Sequence, residues 1–254
     1  MVAGTMAAGF ALHAVPALTS VAPVRRRLLP ELSGIGRPGH VALTFDDGPD
    51  RRSTPRFLHR LDRAGVRATF FLLGSLLDRD PGLGREMTAQ GHEVAVHGWE
   101  HHNLLCRTPP ATYADIAHAR DRIAELTGQP PRWYRPPYGV LTTAALLACA
   151  RLGLQPRLWT AWGRDWRADA TAGSVCHNVL RTLRPGGTIL LHDSDHVAAT
   201  GSWHATLTAL PALIDWATQR KLTLGTLSDH QPVSPRPPSA GSGARPVTAP
   251  PGRA

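Results

Sequence analysis

Two adjacent carboxylates, Asp46 and Asp47, stand at the end of the apolar run 41–45 and directly before Gly48-Pro49. No regular element contains a Gly-Pro pair, so the acids sit at the carboxyl end of a buried strand. That is the edge where open α/β sheets and β/α barrels carry their chemistry. Side chains alternate faces along a strand, so both acids reach one site only if the chain bends at Asp47, and Gly48-Pro49 supplies a bend. The competing use of the pair is to cap the helix that starts near Ser53.

Four other runs also end in reactive side chains. His97 closes the alternating stretch 92–97, and His101 follows four residues later. If the chain turns helically there, the two imidazoles share a face at a spacing that suits one metal ion. With a carboxylate from a neighbouring strand they make a two-His, one-carboxylate set that leaves positions open for water and substrate. His102 is the spare, and two solvated loop histidines are the plainer alternative. Arg135 ends the run 132–135 before two prolines. Its fork suits holding a carboxylate ionised, as a general base requires, and the rigid turn exposes the N–H groups of Tyr138 and Gly139. His192 follows the apolar run 188–191; with an unperturbed pKa of about 6.5 it suits a proton donor. Asp165 can orient that imidazole, and Asp193 and Asp195 compete for the same task.

The elements that must hold these residues are legible in the periodicities. Strands are expected at 41–45, 67–73, 92–97, 132–135, 154–159, 187–191 and 222–224. Helices are expected at 53–64, to near Gln90, at 111–126, 142–152, 174–183 and 203–220. A polar loop is expected over 162–169. Strand and helix alternate about seven times with connections long enough for parallel crossovers, so the fold class is α/β: a distorted (β/α) barrel of about seven units with parallel strands. Three parts follow: an N-terminal extension over 1–37, a catalytic domain over 38–230, and a disordered Pro/Gly-rich tail over 231–254.

The 254 residues suffice for a sizeable core, and the formal net charge is +9. Lys221 is the only lysine. No zinc-finger, recognition-helix or aromatic-basic pattern accompanies the arginines, so nucleic acid is not an expected partner. A basic enzyme working on an acidic cell envelope is the more economical reading. Cys106, Cys149 and Cys176 have no CxxC spacing and give neither a disulfide framework nor a cysteine zinc site. Residues 1–24 lack a basic region ahead of their apolar stretch and read as no convincing signal peptide. They are expected to be an appended helix or a weak membrane anchor, with Arg25, Arg26 and Arg27 on its cytoplasmic side. On this reading the side of the membrane stays open, cytoplasm included.

Taken together, the motifs resemble the polysaccharide deacetylases with the NodB-homology fold, carbohydrate esterase family 4: TFDDGP at 44–49, HGWEH at 97–101, RPPYG at 135–139, RDW at 164–166 and LLHD at 190–193. The resemblance covers about residues 40–227. It implies metal-dependent removal of acetyl from an N-acetylated sugar, with the metal on Asp47, His97 and His101, the general base on Asp46, the tethering arginine at Arg135 and the acid at His192. It also implies a divalent metal, zinc first and cobalt or manganese next, an acetylated amino-sugar polymer or oligomer as substrate, and a monomer. The backbone N–H of Tyr138 would hold the oxyanion, and Leu190 and Trp166 would form the acetyl pocket. Gly98 departs from the Ser or Thr usual at its position, and Trp162 stands where other members often have another acid. Alternatives are an O-acetyl esterase on xylan, a deacetylase of a small metabolite, and a non-catalytic sugar-binding module.

Overall fold

The computed structural model describes residues 12–230; residues 1–11 and the tail expected over 231–254 lie outside them. Its strands are β1 (His40–Asp46), β2 (Thr69–Leu73), β3 (Glu93–Gly98), β4 (Trp133–Tyr134), β5 (Gln155–Pro156), β6 (Ala161–Trp162), β7 (Thr188–His192) and β8 (Thr223–Gly225). Its helices are α1 (Ala22–Leu28), α2 (Thr54–Arg63), α3 (Gly74–Arg79), α4 (Pro81–Ala89), α5 (Pro109–Thr127), α6 (Thr143–Leu152), α7 (Ala172–Thr182), α8 (Trp203–Gln219) and α9 (Leu227–His230). The strands pair in parallel in the order β5-β4-β3-β2-β1-β7-β6, with β8 beside the start of β1. This is the expected distorted β/α barrel, with one seam, between β5 and β6, that no ladder closes.

β1 is buried along its whole length and bonded on both edges, which is why it reads as an unbroken apolar run rather than an alternating one. Val41, Leu43 and Phe45 belong to the large core shared with the helices, whereas Ala42 packs in a small inner cluster with Phe71, Ala95, Trp133 and Leu227. The same alternation turns Thr44 and Asp46 to the barrel interior.

Two expectations needed correction. The stretch read as one strand over 154–159 is only β5, and Ala161–Trp162, of which Trp162 was placed in a polar loop, forms β6 against β7. The Arg157 N–H donates to Tyr134 O at 2.8 Å and the Thr160 N–H to Thr188 O at 3.0 Å, so this segment passes from one sheet edge to the other with no helix between. The helix ending near Gln90 is really α3 and α4, divided at Asp80, because a residue before proline is disfavoured in the helical region.

The seam is held from both sides. Inside, Arg135 donates from Nε to Arg157 O (3.1 Å) and from Nη2 to Leu158 O (3.0 Å). Outside, the Leu158 N–H donates to Leu32 O at 2.7 Å, and Arg25 Nη2 donates to Trp159 O at 2.8 Å. Arg25 is only 2% exposed, so it is a buried strut rather than a charge flanking an anchor. No helix among the described residues is long and apolar enough to cross a membrane. Replacing Arg25 with Ala is expected to lower the unfolding free energy by about 1–3 kcal/mol, the usual range for losing charged hydrogen bonds to buried carbonyls. Urea unfolding measures it; unchanged stability would mean that Arg135 and Leu32 hold the seam without Arg25.

Candidate active site

β1 ends in Asp46 on the inner face, and Asp47 then adopts a left-handed conformation, φ 72°, that short polar side chains tolerate. The bend thus lies at Asp47 itself, and it sends the two carboxylates to different partners. Asp46 Oδ1 accepts from Arg135 Nη1 at 2.6 Å. That nitrogen also donates to Thr44 Oγ1 at 2.8 Å, and the Thr44 hydroxyl donates on to Ile189 O at 2.6 Å. Arg135 is fully buried and lies with its guanidinium carbon 3.9 Å from the Phe71 ring centroid. Burial lowers its pKa, and the Asp46 carboxylate opposes that shift.

Asp47 faces the imidazoles. Its Oδ1 lies 3.2 Å from His97 Nε2 and 3.4 Å from His101 Nε2, and Oδ2 lies 3.7 Å from His192 Nε2. Burial alone would raise the Asp47 pKa, but His97, His192 and His101 together hold it well below the usual carboxylate range. His101 is pushed down to about 4, chiefly by burial and then by the charge of His97. Burial also works against charging His97, but Asp46 and Asp47 outweigh it and raise its pKa.

These two histidines do not share a helical turn. His97 is the penultimate residue of β3, and the chain swings at its last residue, Gly98, at φ 111°. A Cβ at Gly98 would lie 3.0 Å from Asp115 Oδ2 and 3.1 Å from Glu100 O, on a backbone that L side chains rarely adopt, so Ser or Thr would be strained here. Asp115 from α5 instead accepts the Trp99 N–H at 3.0 Å and ties the turn. The spare, His102, stands apart beside Glu100 and Asp115.

The donor atoms of Asp47, His97 and His101 lie within 4.8 Å of one another. His97 Nδ1–H donates to Arg135 O at 2.8 Å, which leaves the Nε2 lone pair free and aimed at Asp47. Asp47 Oδ1 is buried with no hydrogen-bond partner among the described residues. An orphaned carboxylate oxygen between two imidazole nitrogens fits a divalent cation.

Across the cleft, Asp165 is the carboxylate that meets His192. Its Oδ1 accepts from Nδ1–H at 2.9 Å, and its Oδ2 accepts from the His192 backbone N–H at 2.8 Å and from Thr206 Oγ1 at 2.7 Å. Burial works against charging His192, yet Asp165, with Asp47 and Asp46, pushes its pKa up to about 10. The two rivals are committed elsewhere. Asp193 accepts from the hydroxyl of Thr54 and is pushed up to about 7 by burial, and Asp195 binds Arg52 Nη2 at 2.6 Å.

Asp46, Asp47, His97, His101 and His192 line a cleft of about 250 Å³ whose walls also include Tyr138, Leu190 and Trp166. Trp159 and Val197 line it too and were not singled out from the sequence, and Trp162, noted there only as standing where other members often have an acid, is also in the wall. The spacing of Trp159, Trp162 and Trp166 is the signal that could have found two of them.

A β/α barrel with an Asp-His-His cluster that fits a divalent cation, and with a further carboxylate and imidazole at its strand ends, has the architecture of metal-assisted hydrolases. Residues 34–156 match the family model described as polysaccharide deacetylase. A chitooligosaccharide deacetylase of Bradyrhizobium sp. (strain ANU 289) is 39% identical over 154 residues, 60% of this chain and 70% of that protein. A peptidoglycan-N-acetylglucosamine deacetylase of Listeria monocytogenes is 35% identical over 182 residues, 72% of this chain and 38% of that protein, so the match spans well under half of that relative's length. Among solved structures, the family 4 carbohydrate esterase from Streptomyces lividans in complex with acetate superposes with a TM-score of 0.68 at 30% identity, over 78% of this chain and 98% of that one. The chain belongs to the polysaccharide deacetylase family, carbohydrate esterase family 4.

Proposed function

We propose that the chain hydrolyses the acetamide of N-acetylglucosamine units in peptidoglycan or a chitin-like oligomer, releasing acetate and a free amine. The observation that carries this is the division of the acid pair: Asp46 is locked to Arg135, while Asp47 faces two imidazoles. The names of the relatives, one acting on peptidoglycan and one on chitooligosaccharides, support the substrate class. The catalytic domain is assigned to residues 38–230, with Arg25 and Leu32 ahead of it covering the seam from outside.

Asp47, His97 and His101 would hold the cation. One carboxylate with two imidazoles favours zinc, with cobalt or manganese as substitutes. When bound, such an ion supplies Lewis acidity towards the acetamide carbonyl and lowers the pKa of water towards about 7. Arg135 occupies Asp46 Oδ1, so Oδ2 is the oxygen that takes a proton from the attacking water. As the water oxygen bonds to the carbonyl carbon, the backbone N–H of Tyr138 donates to the developing oxyanion. Collapse breaks the C–N bond, and His192 Nε2 delivers a proton to the nitrogen, because an amide anion is too basic to leave. Asp165 holds His192 in the tautomer and charge state that this requires. Leu190 and Trp166 enclose the acetyl methyl.

Acetate release from chitin oligomers, peptidoglycan and acetylxylan, each with and without chelator, tests the reading. Release is expected from the first two, abolished by chelator and restored by added zinc. Release from acetylxylan alone would overturn the amide assignment, and release unaffected by exhaustive chelation would overturn the metal site.

A further inference from the structure

The segment ahead of β1 turns its apolar side chains outward. Leu12, Val15, Leu18, Val21, Val24 and Leu28 are all between 48% and 69% exposed, and none of them belongs to the core. Their spacing places them on one side. Val15–Ser20 is a 3-10 helix, in which residues three apart eclipse one another, and Val24 and Leu28 are four apart on α1. The contacts with the barrel are polar instead. His13 Nε2–H donates to Leu104 O at 3.4 Å, Leu12 O accepts from Thr143 Oγ1 at 2.7 Å, and Arg25 donates to Thr19 O and Trp159 O. Hydrogen bonds therefore fix the segment while a row of large apolar side chains faces water, as surfaces that meet a partner do.

The charges beside the row select the partner. The first acid in the chain is Glu31, so residues 1–30 carry no negative side chain, and residues 1–11, which lead into Leu12, carry no charged side chain at all. Arg25 is committed to the seam, but Arg27 is exposed, and Arg26 bonds only to Ala22 O of its own helix among the described residues. Apolar side chains next to unopposed arginines match a bilayer surface of anionic lipid, whose headgroups meet the cations and whose outer acyl region receives the row. We propose that residues 12–28 dock this chain in the plane of an anionic membrane surface. The contact is interfacial, since no described helix is long and apolar enough to cross a bilayer. Leu104 and Thr143 lie just past the motifs 97–101 and 135–139, so the row runs beside the cleft, and docking holds the cleft close to the lipid. This surface stands independently of the deacetylase reading.

Co-sedimentation of the full chain with vesicles tests it, comparing phosphatidylglycerol mixed with phosphatidylcholine against phosphatidylcholine alone. Binding is expected on the mixed vesicles and should be roughly tenfold or more weaker on the neutral ones, from about fivefold for each of two arginines. Leu18→Ser alters an exposed side chain outside the cleft. It is expected to weaken binding about tenfold, the value of keeping one leucine in water, while acetate release from soluble chitotriose and the melting temperature stay unchanged. Val15→Ser, on the same row, should reproduce the loss, and Arg27→Gln should weaken binding about fivefold and flatten its salt dependence. Equal binding to both vesicle types, binding indifferent to Leu18→Ser and Val15→Ser, or no binding at all overturns the proposal. A dimer seen by sedimentation velocity without lipid and lost in Leu18→Ser, together with no vesicle binding, would give the row to a second copy and overturn it as well.

Discussion

Asp46→Asn is expected to lower turnover by about 10²–10⁴-fold, the usual contribution of a positioned general base, while the chain still takes up its metal ion. Asparagine keeps the shape of the side chain and an oxygen that Arg135 can use, but it has no basic oxygen to accept a proton. Asp47→Ala is expected to behave differently, losing metal and activity together, because it removes the carboxylate that faces both His97 and His101. Acetate release measured alongside bound metal per chain separates the two outcomes. Undiminished turnover in Asp46→Asn would sink its assignment as base, and a metal-replete Asp47→Ala would sink the ligand set.

Arg135→Ala should produce the largest loss of stability. The guanidinium makes four hydrogen bonds without exposure to water: to Asp46, to Thr44 and to the carbonyls of Arg157 and Leu158. Removing one partner of a buried ion pair costs about 3–5 kcal/mol, because the other charge is left in the interior. Turnover should fall as well, since Asp46, the proposed base, loses its tether and the seam its inner bonds. Arg135→Lys is not expected to rescue either property, because one ammonium cannot span bonds that a planar fork reaches. Chemical denaturation and acetate release on the same samples check both effects, and a variant within 1 kcal/mol of the parent would show that the pair is energetically idle.

The site was legible where its residues terminate strongly patterned runs. Asp46 and Asp47 end a fully buried strand, His97 ends an alternating one, and His192 ends another apolar run, so each announced itself by position. The partner of His192 was not legible, since three carboxylates stand near it in sequence or motif, and the contact with Asp165 comes from folding β6 against β7. β5 and β6 were misread for a related reason: each is two residues long, and their pairing comes from edges formed elsewhere in the chain. Whether the chain turns helically from His97 to His101 was left as a condition, because spacing alone does not report the φ of Gly98. Arg25 reads as one of three equivalent arginines, and only the seam it covers distinguishes it.

The place of β1 at the centre of the sheet also bears on how the chain acquires its site. β1 is made early, yet Ala42 pairs with Thr188 and His40 with Thr223, so two of its three neighbours are synthesised near the end of the barrel. Contacts so distant in sequence slow folding, and a chain emerging from the ribosome holds the Asp46–Asp47 strand with one edge unpaired until β7 appears. His192, the proposed acid, arrives on that same closing strand and pairs in register with Asp46. β7 is therefore the strand that both flanks the proposed base and carries the proposed acid, so the step that seats β7 beside the end of β1 is also the step that brings Asp46 and His192 together.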